Sequence, residues 1–129
     1  MGGSSLNRVG KEQLEKYLSS QKGAESGYPF GPEALVFKVM GKMFALVSQR
    51  DRPARVTLKC RPADAEVLVN QYDSVVPGYY MNKRHWITIS LDGDLPEPVL
   101  TSLVDTSYAL VVDNLTKAQQ RRLAQLTPP

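Results

Sequence analysis

The clearest hydrophobic alternation in the chain occupies residues 86–91, where Ile87, Ile89 and Leu91 alternate with Trp86, Thr88 and Ser90. A period of two sends the first set to one face of a strand and the second set to the other. Asp92-Gly93 supplies the turn that closes it. Residues 55–60 repeat the pattern, with Val56, Leu58 and Cys60 opposed to Arg55, Thr57 and Lys59. Residues 35–40 and 43–48 read as two more strands around Gly41-Lys42, a two-residue hairpin signal. In the first of these, Leu35, Phe37 and Val39 oppose Val36 and Lys38. The phase of the second is ambiguous, because both of its sides are apolar.

Helical spacing appears elsewhere. Over residues 8–21, Val9, Leu14, Tyr17 and Leu18 suit one face, and Gly23 is a stop. Pro62 fits the first position of a helix over residues 63–72, with Ala65, Leu68 and Val69 as its apolar side. Leu100, Leu103, Val104, Tyr108 and Val111 share one face of a helix spanning residues 96–112. Thr116 caps a last helix over residues 117–126. Residues 27–32, 49–54 and 75–83 read as loops. The expected order is α-β-β-β-α-β-α-α. Short connections make the first three strands an antiparallel meander joined by a further strand, with helices on one face: an α+β two-layer sandwich. Leu35, Phe37, Val39, Val56, Leu58, Cys60, Ile87, Ile89 and Leu91 should then face the helices.

Composition narrows the function classes. The 129 residues fit one domain, expected over residues 8–127, able to bury about two-thirds of the unfolded surface. Residues 1–7 are set aside as a flexible or tag-derived start. The net charge of +3 is compatible with an anionic partner without requiring one. A single Cys excludes an intramolecular disulfide and favours a reducing, cytoplasmic setting. No apolar run reaches membrane-spanning length, so no membrane partner is expected. One His and one Cys, far apart, make no metal-ligand cluster. Asp92 and Asp94 flank a turn Gly without the carboxylate series of a calcium loop. Gly41-Lys42 lacks the surroundings of a phosphate-binding loop. Neither metal nor cofactor is expected. Cys60 with His85 is the sole Cys/His combination, and both residues fall on the inward phase, so no catalytic role is assigned.

The outward face of the sheet carries more chemistry. Lys38, Arg55 and Lys59 would stand there with Thr57, Thr88 and Ser90 as hydroxyl donors and Trp86 as a stacking surface, and Arg50 and Arg52 lie in a loop at one end. Phosphates are met by such groups, and an aromatic ring stacks on a base. A solvated antiparallel face carries the same residue types, and Glu33, Asp51 and Asp94 dilute the charge. The balance lets neither reading win. Tyr28, Tyr72, Tyr79 and Tyr80, with Phe30 and Trp86, suit either a ligand cleft or loops pinned to the core. Leu123 and Leu126, beside Arg121 and Arg122, suit docking on the chain's own domain or on a second copy, so monomer and homodimer both stay open.

Three blocks carry a family resemblance: "GYPFGPEALVFKVMGKMFAL" (27–46), "YYMNKRHWITISLDGDLP" (79–96) and "LVDTSYALVVDNL" (103–115). With the spacing of Pro29-Phe30-Gly31, His85-Trp86, Leu91-Asp92-Gly93 and Ser107-Tyr108, the chain resembles the MmcQ/YjbR-like proteins over residues 11–126. The resemblance implies a small bacterial cytoplasmic protein with a CyaY-like α+β fold. Such proteins are often described as DNA-binding by analogy with the double-wing domain of the phage transcription activator MotA, an analogy at the level of fold. In that mode the sheet rides on duplex DNA, and the implied contact residues are Lys38, Lys42, Arg50, Arg52, Arg55, Lys59, Lys83, Arg84 and Trp86. The resemblance brings no catalytic set. The alternative is a protein- or small-ligand-binding module using a cleft of Tyr28, Phe30, Tyr79 and Tyr80.

Overall fold

The computed structural model describes residues 10–78 and 82–126. Tyr79 and Tyr80 and the start set aside as flexible lie outside the described residues. In chain order the elements are α1 (Lys11–Ser19), β1 (Ala24–Gly27), β2 (Ala34–Val39), β3 (Lys42–Ser48), β4 (Arg55–Lys59), α2 (Pro62–Gln71), β5 (Val75–Pro77), β6 (Trp86–Ser90), α3 (Glu97–Asp113) and α4 (Lys117–Gln125). The strands form one sheet in the order β1-β2-β3-β4-β6-β5, with every pair antiparallel. The α+β fold expected from the alternation is the fold observed, with two additions. β1 and β5 edge the sheet where no strand was read. β1 is Ala-Glu-Ser-Gly, without apolar alternation, and β5 is three residues ending in Pro77. Edge strands pair on one side only and need neither a buried face nor every N–H.

The hairpin turn sits one residue earlier than Gly41-Lys42 suggests. Met40 (φ 49°) and Gly41 (φ 80°) occupy its centre, between the paired residues Val39 and Lys42. Two positive φ values are the requirement of a type I′ turn, which matches the twist of the flanking strands. A β-bulge follows. Phe37 pairs with Ala45 but Lys38 pairs with Met43, so Phe44 is the extra residue. This explains the ambiguous phase of β3. Phe44, Ala45 and Val47 all reach the core, while Leu46 takes the other face.

The helices converge on one face. α3 packs across β2, β3 and β4, α1 against β1, and α2 against β5. Leu14, Leu18, Ala65, Leu100, Val104, Val111 and Leu123 join Phe37, Val39, Val47, Val56, Leu58, Ile87 and Ile89 in one core. Within it, Phe44 packs edge-on against Tyr108 with ring centroids 5.4 Å apart, a favourable aromatic geometry. Ser107 is completely buried among these groups. Its hydroxyl donates to the Phe44 carbonyl at 2.6 Å and accepts the Lys59 amide at 2.8 Å. α3 is thereby bonded to both β3 and β4 at the bulge. The Tyr108 hydroxyl donates to the Lys22 carbonyl, fixing the turn before β1.

A second polar tie lies at the far end. Asp94 accepts the Ser74 hydroxyl at 2.6 Å and the amides of Ser74 and Asp73. The Ser74 hydroxyl above all, helped by these amides, holds the Asp94 carboxyl below its ordinary range.

Replacing Ser107 with Ala should destabilise the fold by about 1–3 kcal/mol, because a buried amide and carbonyl lose their partner. Urea denaturation reads this directly, and an unchanged midpoint would contradict the role given to the hydroxyl. For Asp94, the lowered folded-state pKa makes its contribution fully present above the unfolded value of about 3.9. The contribution is lost as pH falls through the lower folded value. Asp94→Asn should therefore lower the urea midpoint at neutral pH and reduce its fall on acidification. Identical acid profiles for the two proteins would refute the tie.

Candidate functional site

The sheet face away from the helices is built from strand register. One row crosses all six strands: Gly27, Val36, Leu46, Thr57, Thr88 and Val76. Its centre is sheltered, although the helices of the described residues pack on the other face. Val36, Leu46, Thr57 and Thr88 are 1%, 7%, 2% and 2% exposed. Met43, Lys59 and Trp86, in the flanking rows of the same face, are half-buried. Thr57 and Thr88 were expected as outward donors. They do face outward, but their hydroxyls bond each other at 2.9 Å and lie below the surface. Lys38, Arg55, Lys59, Trp86 and Ser90 share this face as the alternation implies. Gly78 is what lets β5 close on Trp86. Its N–H donates to the Trp86 carbonyl at 2.7 Å, and a Cβ there would sit 2.8 Å from the Trp86 Cβ.

The nine basic and aromatic candidates do not form one patch. β2, β4 and β6 run so that the two ends of the sheet carry different residues. Lys38, Lys42, Lys59, Lys83, Arg84 and Trp86 fall at the end with the β2–β3 hairpin. Arg50, Arg52 and Arg55 fall at the opposite end, beside Glu33, Asp51, Asp92 and Asp94. There Arg50 pairs with Glu33 at 3.5 Å, both well exposed, an interaction of small net value. At the hairpin end, none of Lys38, Lys42, Lys59, Lys83 and Arg84 forms an ion pair with a described residue. Glu25 faces Lys38 across β1 and is the one carboxylate in the register there.

Next to Trp86 is a hollow of about 430 Å³ lined by Lys59, Cys60, Arg61, Asn82, His85 and Asn114, among others. The Cys60 amide donates to the His85 carbonyl at 2.8 Å. Cys60 is buried, and burial first, then the charge of Asp64, pushes its thiol above the ordinary value. A thiol kept protonated is a poor nucleophile. His85, expected on the inward phase, is instead exposed, because the strand begins only at Trp86. Among the described residues, no group of three His, Cys, Asp or Glu is placed to hold a metal, and no helix is long and apolar enough to cross a membrane.

The aromatic set is dispersed. Tyr28 and Phe30 are exposed, 54% and 70%, on the loop between β1 and β2. Trp86 lies at the other end, and Tyr72 packs against the core. Phe30 lines a second hollow, of about 640 Å³, with Ala34, Met43, Leu46 and the Glu33–Arg50 pair. Met43, Leu46 and Arg61 were not among the candidates. The open-face phase of Met43 and Leu46 was hidden by the bulge. Arg61 is legible as the residue before Pro62, where a helix starts beside Lys59.

Comparison with known proteins follows the same outline. The YjbR family model matches residues 19–110. The uncharacterized protein YbdF of Escherichia coli O157:H7 is 43% identical over 98 residues, covering 74% of this chain and 79% of that one. The uncharacterized protein YjbR of Escherichia coli strain K12 is 36% identical over 114 residues, covering 88% and 97%. A crystal structure of a Deinococcus radiodurans protein superposes with a TM-score of 0.82 at 35% identity, over 92% of this chain and 89% of that one. A Pseudomonas syringae protein superposes with a TM-score of 0.70 at 26% identity, over 79% and 98%. With a family match across most of its length and relatives above one-third identity, the chain belongs to the YjbR family.

Proposed function

We propose that this protein is a non-catalytic DNA-binding domain of the cytoplasm, and that it meets the phosphate backbone with the hairpin end of its open sheet face. The observation that carries the reading is the separation of charge along the sheet. Lys38, Lys42, Lys59, Lys83 and Arg84 gather at one end without ion-pair partners among the described residues, with Glu25 opposite Lys38 and Glu66 sharing a hollow with Lys83 and Arg84, while Glu33, Asp51, Asp92 and Asp94 gather at the other. β2 and β6 are three strand spacings apart, about 14 Å. Measured along the helix axis of B-DNA, that length corresponds to about four phosphates of one strand. The half-buried Trp86 stands within the cationic set, as a contact for sugar or base. The buried, free Cys60 suits a reducing compartment. Arg50, Arg52 and Arg55 take no part in this reading, since neighbouring acids offset them.

A second reading rests on the 640 Å³ hollow under Phe30. Its apolar floor and size are those of a small-ligand site, which makes it a binding module of another kind. The hollow reaches Met43, the partner of Lys38, but its Phe30, Glu33, Arg50 and Asp51 lie at the end away from the basic set, so the two readings separate by mutation.

Fluorescence anisotropy with a labelled duplex is the test. Four phosphate contacts predict a log–log salt slope of about −4, and roughly a 200-fold loss of affinity from 50 to 200 mM salt. Lys59→Glu with Lys83→Glu should weaken binding by about 10-fold or more and flatten the slope. Arg50→Glu with Arg52→Glu should change it far less. Absence of binding at 50 mM salt to duplex and single strand alike would remove the proposal, as would equal losses in the two double variants.

A further inference from the structure

We infer that the hollow between the end of β4, the start of α2 and the turn at residues 82–85 receives a terminal phosphate carried by a nucleotide base. The inference rests on the nucleic-acid reading above for the class of ligand, and it adds what the backbone contacts alone do not supply, a preference for strand ends.

Among the described residues, the lining of the hollow has donors and no carboxylate. The donors are Lys59, Arg61, Asn82, His85 and Asn114. Asp64 lies 3.8 Å from one Arg61 nitrogen, with both side chains exposed. That loose contact leaves most of the five guanidinium N–H donors for another partner. The Asn82 oxygen is already committed, accepting the Arg84 amide at 2.9 Å, so its N–H donors are what it has to offer a ligand. The walls are held together by backbone bonds. The His85 amide donates to the Asn82 carbonyl at 3.2 Å, and the Cys60 amide donates to the His85 carbonyl at 2.8 Å. The turn that carries Asn82 and His85 is thus tied to the segment that carries Lys59 and Arg61, and the donors are positioned relative to one another. α2 starts in this wall with Pro62 as its first residue and no side chain capping it, which adds a modest positive field.

The shape favours a nucleotide. At about 430 Å³ the hollow is within the size range of small-molecule sites and far too small for a duplex. Trp86 lines it beside Leu110 and Pro62, an apolar side on which a base can stack. A phosphomonoester carries between one and two negative charges and more free acceptors than the diester of a chain interior. A site with two cations and several neutral donors therefore distinguishes a strand end, or a free mononucleotide, from internal phosphates.

Trp86 is the only tryptophan in the chain, so its emission reports occupancy. The full chain is titrated with adenosine 5′-monophosphate, adenosine and inorganic phosphate, and with one short single strand bearing a 5′-phosphate, a 3′-phosphate or hydroxyl ends only. The expected result is quenching by the monophosphate but not by adenosine at equal concentration. A terminal phosphate should tighten the strand by about 10-fold, since charge-assisted hydrogen bonds differ by that order. Arg61→Ala and His85→Ala, both at exposed positions, should each remove most of that gain while leaving the hydroxyl-ended strand unaffected. Equal binding of phosphorylated and hydroxyl-ended strands, with no response to the monophosphate, overturns the inference and leaves the nucleic-acid reading standing. Response to the monophosphate alone, with no strand bound, keeps the hollow as a nucleotide site and ends the reading of the larger face. No response to any probe overturns both.

Discussion

The hydroxyl of Ser107 joins the helical layer to the sheet where the sheet is least regular. Phe44 is the extra residue of the bulge, and its carbonyl accepts a hydrogen bond from the Ser107 hydroxyl, whose oxygen in turn accepts the Lys59 amide. A buried carbonyl and amide at such a place cost about 1–3 kcal/mol if left unpaired. With them paired, α3 can lie directly over β3 and β4, and Phe44 can meet Tyr108 edge-on. The consequence for the other face follows from the pleat. With the Lys59 backbone held toward α3, its side chain takes the outward phase beside Trp86. The core bond and the cationic end of the open face are two sides of the same strand.

The open face is not a uniform wet surface. Its central row of Val36, Leu46, Thr57 and Thr88 is sheltered, so chemistry is confined to the two ends. One end mixes Arg50, Arg52 and Arg55 with Glu33, Asp51 and the Asp92–Asp94 turn, and Asp94 is occupied in holding Ser74. The other end concentrates Lys38, Lys42, Lys59, Lys83 and Arg84, which have no ion-pair partner among the described residues, around a half-buried Trp86 and a donor-lined hollow. Antiparallel strands of similar length make this division simple. Residues at the start of β4 and the end of β6 must share one end, and residues at the end of β4 and the start of β6 the other.

Much of this is legible in the residues. The alternation in 55–60 and 86–91 set both faces correctly, and Pro62 and Thr116 marked two helix starts. Three features escaped for physical reasons. β1 and β5 lack alternation because an edge strand needs none. The phase of β3 was obscured because the bulge buries Phe44 and Ala45 in succession. The division of charge between the sheet ends depends on strand direction and register, which a count of nearby acids does not encode. Glu33, Asp51 and Asp94 were seen as diluting the whole basic set, whereas they dilute only its Arg50–Arg52–Arg55 part.

Chemical-shift mapping of the backbone amides during titration with a DNA duplex tests the central claim most directly. Perturbations should fall on residues 38–42, 58–61 and 82–86, and spare residues 49–52, 92–94 and the helical layer. Shifts centred on the 49–52 loop or on α3 and α4, or no shifts at low salt, would contradict the account.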